Sequence, residues 1–437
     1  MPVMNFLTTC IFDSGALKQL PNVAKNLGIT RPFIVTDPGI KAAGILAKVP
    51  RSWILLAAIG LIALNMRGPF VAVAPVVGLM QQELGFSPVE LGYLTGIPVL
   101  CFALASPLAS LTGRKLGAEV AITLTLLGVL LGVIVRSAGN GAVVMLGTVI
   151  LGVAITIGNI AVPLIIRRDF APARQGTAMG IYTAALNIGS FITAMVMAPL
   201  AELFGWRLAL AACGLFAVAA LVVWVLAFGS RAFRPEPVPG PEPVRAGAKP
   251  ASRWITVGLT AGFAGQAFSY YGVTAWLPSI LADELGMTAA GAGAGSSLFQ
   301  ILAIVGGLGV PLAARFASTT AVGLTLGLLW VTVPLGLLLA PELWWLWSSF
   351  GGIAQGGGIT LIFIAIIRLA RDQASAGRMS AVVQGVGYSF GALAPTLLGY
   401  ANGVTGSWTG PLLMVLCSVA LFILGTALSL RHVPRVH

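Results

Sequence analysis

Charge is what this chain has least of. Asp, Glu, Lys and Arg make up 9% of its 437 residues, where a soluble domain carries roughly a quarter. A protein that is mostly water-facing is therefore excluded. Histidine is nearly missing, with only His432 and His437, both in the C-terminal tail. The four cysteines, Cys10, Cys101, Cys213 and Cys417, are far apart and show no metal-ligand spacing. They read as small packing residues. No metal, cofactor or catalytic residue is expected, and the chain does not read as an enzyme.

What the chain has instead is apolar sequence, 57% by composition. A helix needs roughly 20 apolar residues to cross a bilayer, and twelve stretches qualify. Six lie near 53–80, 90–111, 118–136, 141–166, 176–199 and 207–228. Six more lie near 254–281, 289–313, 319–340, 343–367, 379–401 and 408–430. The two sets repeat each other at one offset. Trp53 recurs as Trp254, 201 residues on, and the same step takes Glu83-Leu84-Gly85 to Glu284-Leu285-Gly286. It also takes Arg114 to Arg315, Arg167 to Arg368 and Gly176 to Gly377. Solenoid repeats run to roughly 20–50 residues, so this is a duplicated domain. A parallel duplication in a membrane chain is a known plan for secondary transporters. The expected fold is an all-α membrane protein with two parallel, pseudo-symmetric six-helix bundles, 51–228 and 253–431. A Pro-rich linker at 229–252 joins them, and 432–437 forms a tail.

The net charge of +12 invites a nucleic-acid reading, which its placement opposes. Every Lys and Arg except Arg67, Arg136 and Arg207 lies in a tail or in alternate connections between spans. The intervening connections hold Arg136 and Arg207 with Glu83, Glu90, Glu202, Asp283, Glu284 and Glu342. The positive-inside rule then makes both termini and the linker cytoplasmic. The expected setting is a bacterial-type inner membrane. The expected partners are the lipid bilayer and a small-molecule substrate, with no nucleic acid and a monomeric chain.

Residues 1–50 differ from the rest and have no run long enough to span a membrane. Gly15-Ala16-Leu17 reads as a short helix, and Phe33-Ile34-Val35-Thr36-Asp37 as a strand ending in an Asp-Pro-Gly turn. This segment resembles the extreme N-terminus of iron-containing alcohol dehydrogenases. That family's phosphate loop and metal ligands have no counterpart downstream, so a membrane-tethered oxidoreductase is a poor reading. The segment reads as a fusion remnant or a mis-called start.

Twelve spans in two parallel repeats, joined by a cytoplasmic linker, resemble the major facilitator superfamily. Arg114-Lys115 and Arg315 look like a degenerate form of its basic loop motif, without the usual Asp, so they are gating candidates only. Within the first span, Leu64-Asn65-Met66-Arg67-Gly68-Pro69 followed by Pro75 resembles the cyanate and 2-nitroimidazole transporter family. Its Leu-Asn-x-Arg-Pro signature is kept except for the inserted Gly68. The resemblance implies a secondary transporter for a small anionic or polar solute, cyanate-like or nitroimidazole-like.

Arg67 is the candidate anchor. It lies fourteen residues beyond Trp53, where a charge costs about 2.5–3.5 kcal/mol on the insertion scale. No carboxylate lies near the middle of any span. The bland alternative is a cation neutralised by carbonyls and water, or one that locks two helices. Gly60, Ala63, Arg67 and Ala74 share a face that leaves room beside the guanidinium. Pro69 frees the carbonyl of Asn65 and predicts a kink at Gly68-Pro69. The neutral polar candidates are Asn65, Asn159, Asn187, Gln266, Tyr270, Gln355, Gln384 and Tyr388. For each of these, a helix–helix hydrogen bond is the competing reading. Thr183 and Asn187 correspond to Gln384 and Tyr388 under the repeat. In the superfamily the first, fourth, seventh and tenth helices line the path, which favours Arg67, Asn159, Gln266, Tyr270 and Gln355. A drug efflux antiporter is the rival reading, and a sensor without transport is a further one.

Overall fold

The computed structural model describes residues 52–170, 172–236, 253–369 and 373–431. The expectations for residues 1–50, most of the linker, Cys10 and the two histidines lie outside these. Among the described residues every regular element is helical. The first half holds α1 (Ser52–Val71), α2 (Val77–Leu84), α3 (Pro88–Leu104), α4 (Ser106–Ser137), α5 (Gly141–Asp169), α6 (Pro172–Ala212) and α7 (Gly214–Phe228). The second half holds α8 (Arg253–Leu285), α9 (Ala289–Ile301), α10 (Ala303–Phe316), α11 (Thr319–Leu339), α12 (Trp344–Leu369), α13 (Gln373–Thr405) and α14 (Thr409–Leu430).

Among the described residues, 9 helical stretches are long and apolar enough to cross a membrane. One of these, Thr177–Ala232, runs for 56 residues and breaks at Gly205, where the backbone is not helical. Pro88–Leu104 is apolar but shorter. Arg253–Leu285 is long but too polar to be counted. The polar helix α8 is the one that needs lipid least. All residues from Gly262 to Pro278 are buried, because α9, α12, α13 and α14 surround it.

The repeated sequence turns out to be punctuation. Glu83-Leu84-Gly85 ends α2 with Gly85 in the left-handed region at φ 66°, and the matching Gly286 has φ 62° after α8. Only glycine adopts that conformation without steric cost, and it closes helices for that reason. Two residues on, Ser87 accepts from the Glu90 amide and so caps α3. Its equivalent Thr288 caps α9 by accepting from the Gly291 amide. An N-cap of this kind contributes about 1 kcal/mol.

The largest contacts between the halves are two related by the repeat. Helix α3 packs on α13, and α9 packs on α6. Adding 201 converts the first pair into the second. Gly92 and Gly96 of α3 lie directly against the backbone of Ala392, Pro395 and Thr396 of α13, so any side chain there meets main chain.

The first span stays helical through Gly68-Pro69. Ala72 still donates to the Gly68 carbonyl, and the helix ends at Val71, before a 3-10 turn at Ala74–Val76. Pro69 removes one bond only, whereas Pro75 follows where the ladder has already stopped. Two other local expectations need correction. Arg136, expected in an outer connection, is the last-turn cation of α4 and is fully buried. Gly229–Ala232, taken as linker, is a short 3-10 helix continuing from α7.

Candidate functional site

Arg67 lies where α1, α6 and α8 approach one another. Its Nη1 donates to Asn187 Oδ1 of α6 at 3.0 Å. Its guanidinium carbon sits 5.2 Å from the centre of the Tyr270 ring of α8. The Asn187 amide is held in turn by donating to the Thr183 carbonyl at 2.9 Å. The approach is possible because Gly189 presents no side chain to the α1 backbone at Leu64. Four phenols, Tyr182, Tyr270, Tyr271 and Tyr388, lie within electrostatic reach of the guanidinium. No carboxylate forms an ion pair with it among the described residues. A single neutral oxygen and a ring face leave most of its donors for something else.

Exposure along α1 falls away toward its C-terminal end. Ala57 is exposed, and Gly60, Leu61, Leu64 and Arg67 are half-buried at helical spacing. From Gly68 to Val76 every residue is buried. The accessible stripe thus stops at Arg67. On α6, a cleft of about 240 Å³ runs along Met179, Thr183 and Asn187, facing Ala303, Gly307 and Thr360 of the second half. Asn187 is its inner end. A separate cleft of about 230 Å³ lies at the opposite end of the molecule, lined by Gln81, Pro88, Trp276, Asp283 and Trp408. The buried stretches 68–76 and 262–278 separate that cleft from Arg67.

The remaining candidates divide. Tyr388 is half-buried and packs its edge on Phe102, Phe263 and Tyr271. Asn187 and Tyr388, equivalent under the repeat, therefore both lie within reach of the one central cation. Asn159 accepts from the Tyr182 hydroxyl at 3.2 Å. Gln384 is half-buried and donates to Ser380 at 2.6 Å. Gln266 is consumed at both ends, donating to the Gln355 carbonyl and accepting from Trp330 Nε1, each at 2.8 Å. Gln355 donates to the Phe299 carbonyl at 3.4 Å. Asn65 is two positions from Arg67, on the other side of the helix, fully buried and donating to the Leu61 carbonyl. Arg114, Lys115 and Arg315 are exposed at the basic end.

Sequence reasoning did not single out Tyr182 or Tyr271, which complete the ring of phenols. The only signal was their type, since tyrosine in an apolar span brings a hydroxyl that needs a partner. It also missed the charge cluster at the basic end. Arg168 of α5 binds both oxygens of Glu119 of α4 at 2.7 and 3.1 Å, and Asp169 at 2.6 and 2.8 Å. Here a carboxylate at position 119 supplies a negative charge beside the loop whose motif lacks its Asp.

Comparison with known proteins places this geometry in a family. The sequence pattern of the Major Facilitator Superfamily matches residues 54–395. An uncharacterized transporter of Bacillus subtilis (strain 168), YycB, is 31% identical over 390 residues, covering 87% of this chain and 93% of its own. The 2-nitroimidazole transporter of Escherichia coli (strain K12) is 29% identical, covering 85% of this chain and 94% of its own. The cyanate transport protein CynX of the same organism is 27% identical, covering 87% and 97%. Among solved structures, a bacterial homolog to the human lysosomal transporter Spinster, in an inward-facing and unoccupied conformation, has a TM-score of 0.67 at 17% identity. That match covers 88% of this chain and 98% of the other.

Proposed function

The chain belongs to the Major Facilitator Superfamily, and within it we propose that the protein carries a small anionic or polar solute past Arg67 by alternating access. The observation that carries this is the guanidinium at the end of an accessible stripe, with one amide oxygen and one ring face as partners. A solute with a carboxylate-like, cyanate-like or nitro-like edge would satisfy the remaining donors through charge-assisted bonds. Two relatives named for 2-nitroimidazole and cyanate transport make those two solutes the first probes.

The conformation fits one end of such a cycle. The halves are packed tightly where α3 meets α13 and α9 meets α6, while the stripe to Arg67 opens toward the basic end. The positive-inside rule makes that end cytoplasmic, so this is an inward-open state. No carboxylate among the described residues is bonded to Arg67, so uniport, exchange, or co-transport with the proton on the solute fits best.

Uptake into proteoliposomes tests the reading. A charge-assisted hydrogen bond contributes about 1.5–3 kcal/mol, so Arg67→Ala should cost roughly tenfold to a hundredfold in kcat/KM for cyanate or 2-nitroimidazole. Arg67→Lys keeps the charge and loses the fork, so partial activity is expected. Wild-type uptake by Arg67→Ala would end the proposal.

A further inference from the structure

A second guanidinium lies deeper than that of Arg67. Arg136, in the last turn of α4, is 0% exposed, and no acid among the described residues is bonded to it. Its Nη1 donates to the carbonyl of Pro69 at 2.8 Å. Its Nε and Nη2 find no acceptor among the described residues. Burying a charge with so little compensation is costly. A side chain serving only to fill space would do better as Leu or Met.

Its one partner explains the placement. The last helical bond of α1 runs from the Ala72 amide to the Gly68 carbonyl. The Pro69 carbonyl is the next acceptor and lies at the negative end of the helix dipole, where a cation is favoured. Arg side chains commonly take up such orphan carbonyls. Pro69 is two residues beyond Arg67. Gly68, between them, faces the Thr193 side chain of α6, which would have to shift to admit a side chain at position 68. The C-terminal turn of α1 is thus fixed from two sides, by α6 at Gly68 and by Arg136 at Pro69. The backbone of Arg136 is itself held in place, because Gly147 of α5 packs directly on it.

We propose that Arg136 is a positioning residue for Arg67. By capping Pro69 it determines where α1 stops, and so the height and direction at which the Arg67 guanidinium meets Asn187 and the solute. The inference rests on the reading of Arg67 as the solute anchor.

Two measurements on Arg136→Met and Arg136→Lys test it, in the full chain reconstituted in proteoliposomes. The first is the kinetics of cyanate and 2-nitroimidazole uptake. The second is amide hydrogen exchange of the segment 70–77, which needs no solute. Arg136→Met should raise KM at least about fivefold, keep kcat within about twofold and accelerate exchange of the segment. Arg136→Lys retains a donor and should return both readouts close to wild type. Melting temperature separates this from a purely structural role. Arg136→Met removes a buried charge but strands the Pro69 carbonyl, and the two effects oppose each other, so the Met variant should melt within a few degrees of wild type. A fall in melting temperature with KM unchanged overturns the proposal, as does a change in either KM or exchange without the other. If Arg136→Met does not fold, Arg136→Gln, polar but shorter, takes its place with the same expectations. If the wild type moves neither probe, the transport reading fails by itself, and the exchange readout still decides whether Arg136 pins α1.

Discussion

Gln266 and Tyr270 sit one helical turn apart on α8, and the sequence gives no means of telling their roles apart. Both belong to the same polar stripe. The structure separates them by partner. The Gln266 amide is bonded at both ends to α11 and α12, while the Tyr270 ring lies under Arg67 and its hydroxyl has no acceptor or donor among the described residues. Opposite effects follow. Gln266→Ala strands the Trp330 indole N–H and a buried carbonyl, at about 1–3 kcal/mol each. It should lower the melting temperature clearly and leave KM for a transported solute near wild type. Tyr270→Phe breaks no bond within the fold and should leave the melting temperature unchanged. It should raise KM for a solute that meets the free hydroxyl. Thermal melts and uptake kinetics of the two variants check both statements, and a swapped pattern would refute the assignment. Periodicity failed here for a physical reason. It locates a face by contrast with an exposed one, and α8 is buried on every side from Gly262 to Pro278. Arg67 was legible because a charge in the middle of a span is anomalous whatever surrounds it.

Helices were legible for the same reason of contrast. Long apolar runs and the 201-residue repeat placed the elements close to where they are observed. The end of α1 at Val71, ahead of Pro75, was not read from the sequence, because Gly68-Pro69 drew the attention as the local breaker. Contacts between the halves were also out of reach. They depend on which glycines face across the interface, and nothing local distinguishes Gly92 from Gly180. The structure does, because Gly92 abuts the backbone of α13 while Gly180 has open space beside it. Gly92→Leu should therefore leave each half folded but prevent α3 and α13 from closing. Uptake should fall at least about tenfold. In a chain whose own cysteines are replaced, Gln81→Cys in the cleft at the acidic end should react faster with an impermeant maleimide when Gly92→Leu is present. Unchanged uptake and unchanged labelling would show that this contact does not close the outer end.

The whole molecule is electrically one-sided, and the structure makes it more so than the sequence does. The sequence leaves two cations, Arg136 and Arg207, at the acidic end. Arg136 is buried against α1. Arg207 is bound through Nε and Nη2 to Glu83 Oε1, at 3.0 and 2.9 Å. That end thus presents no unpaired, exposed cation among the described residues, while the other end exposes Arg114, Lys115, Arg167, Arg174, Arg315 and Arg378. Insertion counts positive charge near span ends rather than net charge, so the bias holds even though Arg168 is partly neutralised by Glu119 and Asp169. The basic end should face the cytoplasm. With the native cysteines replaced, Glu342→Cys in intact cells should be labelled by an impermeant maleimide. Lys115→Cys should be labelled only after the membrane is permeabilised. The reverse pattern would invert the molecule and make the open stripe to Arg67 an outward-facing path. The same experiment therefore fixes both the orientation of the chain and the side from which this conformation receives its solute.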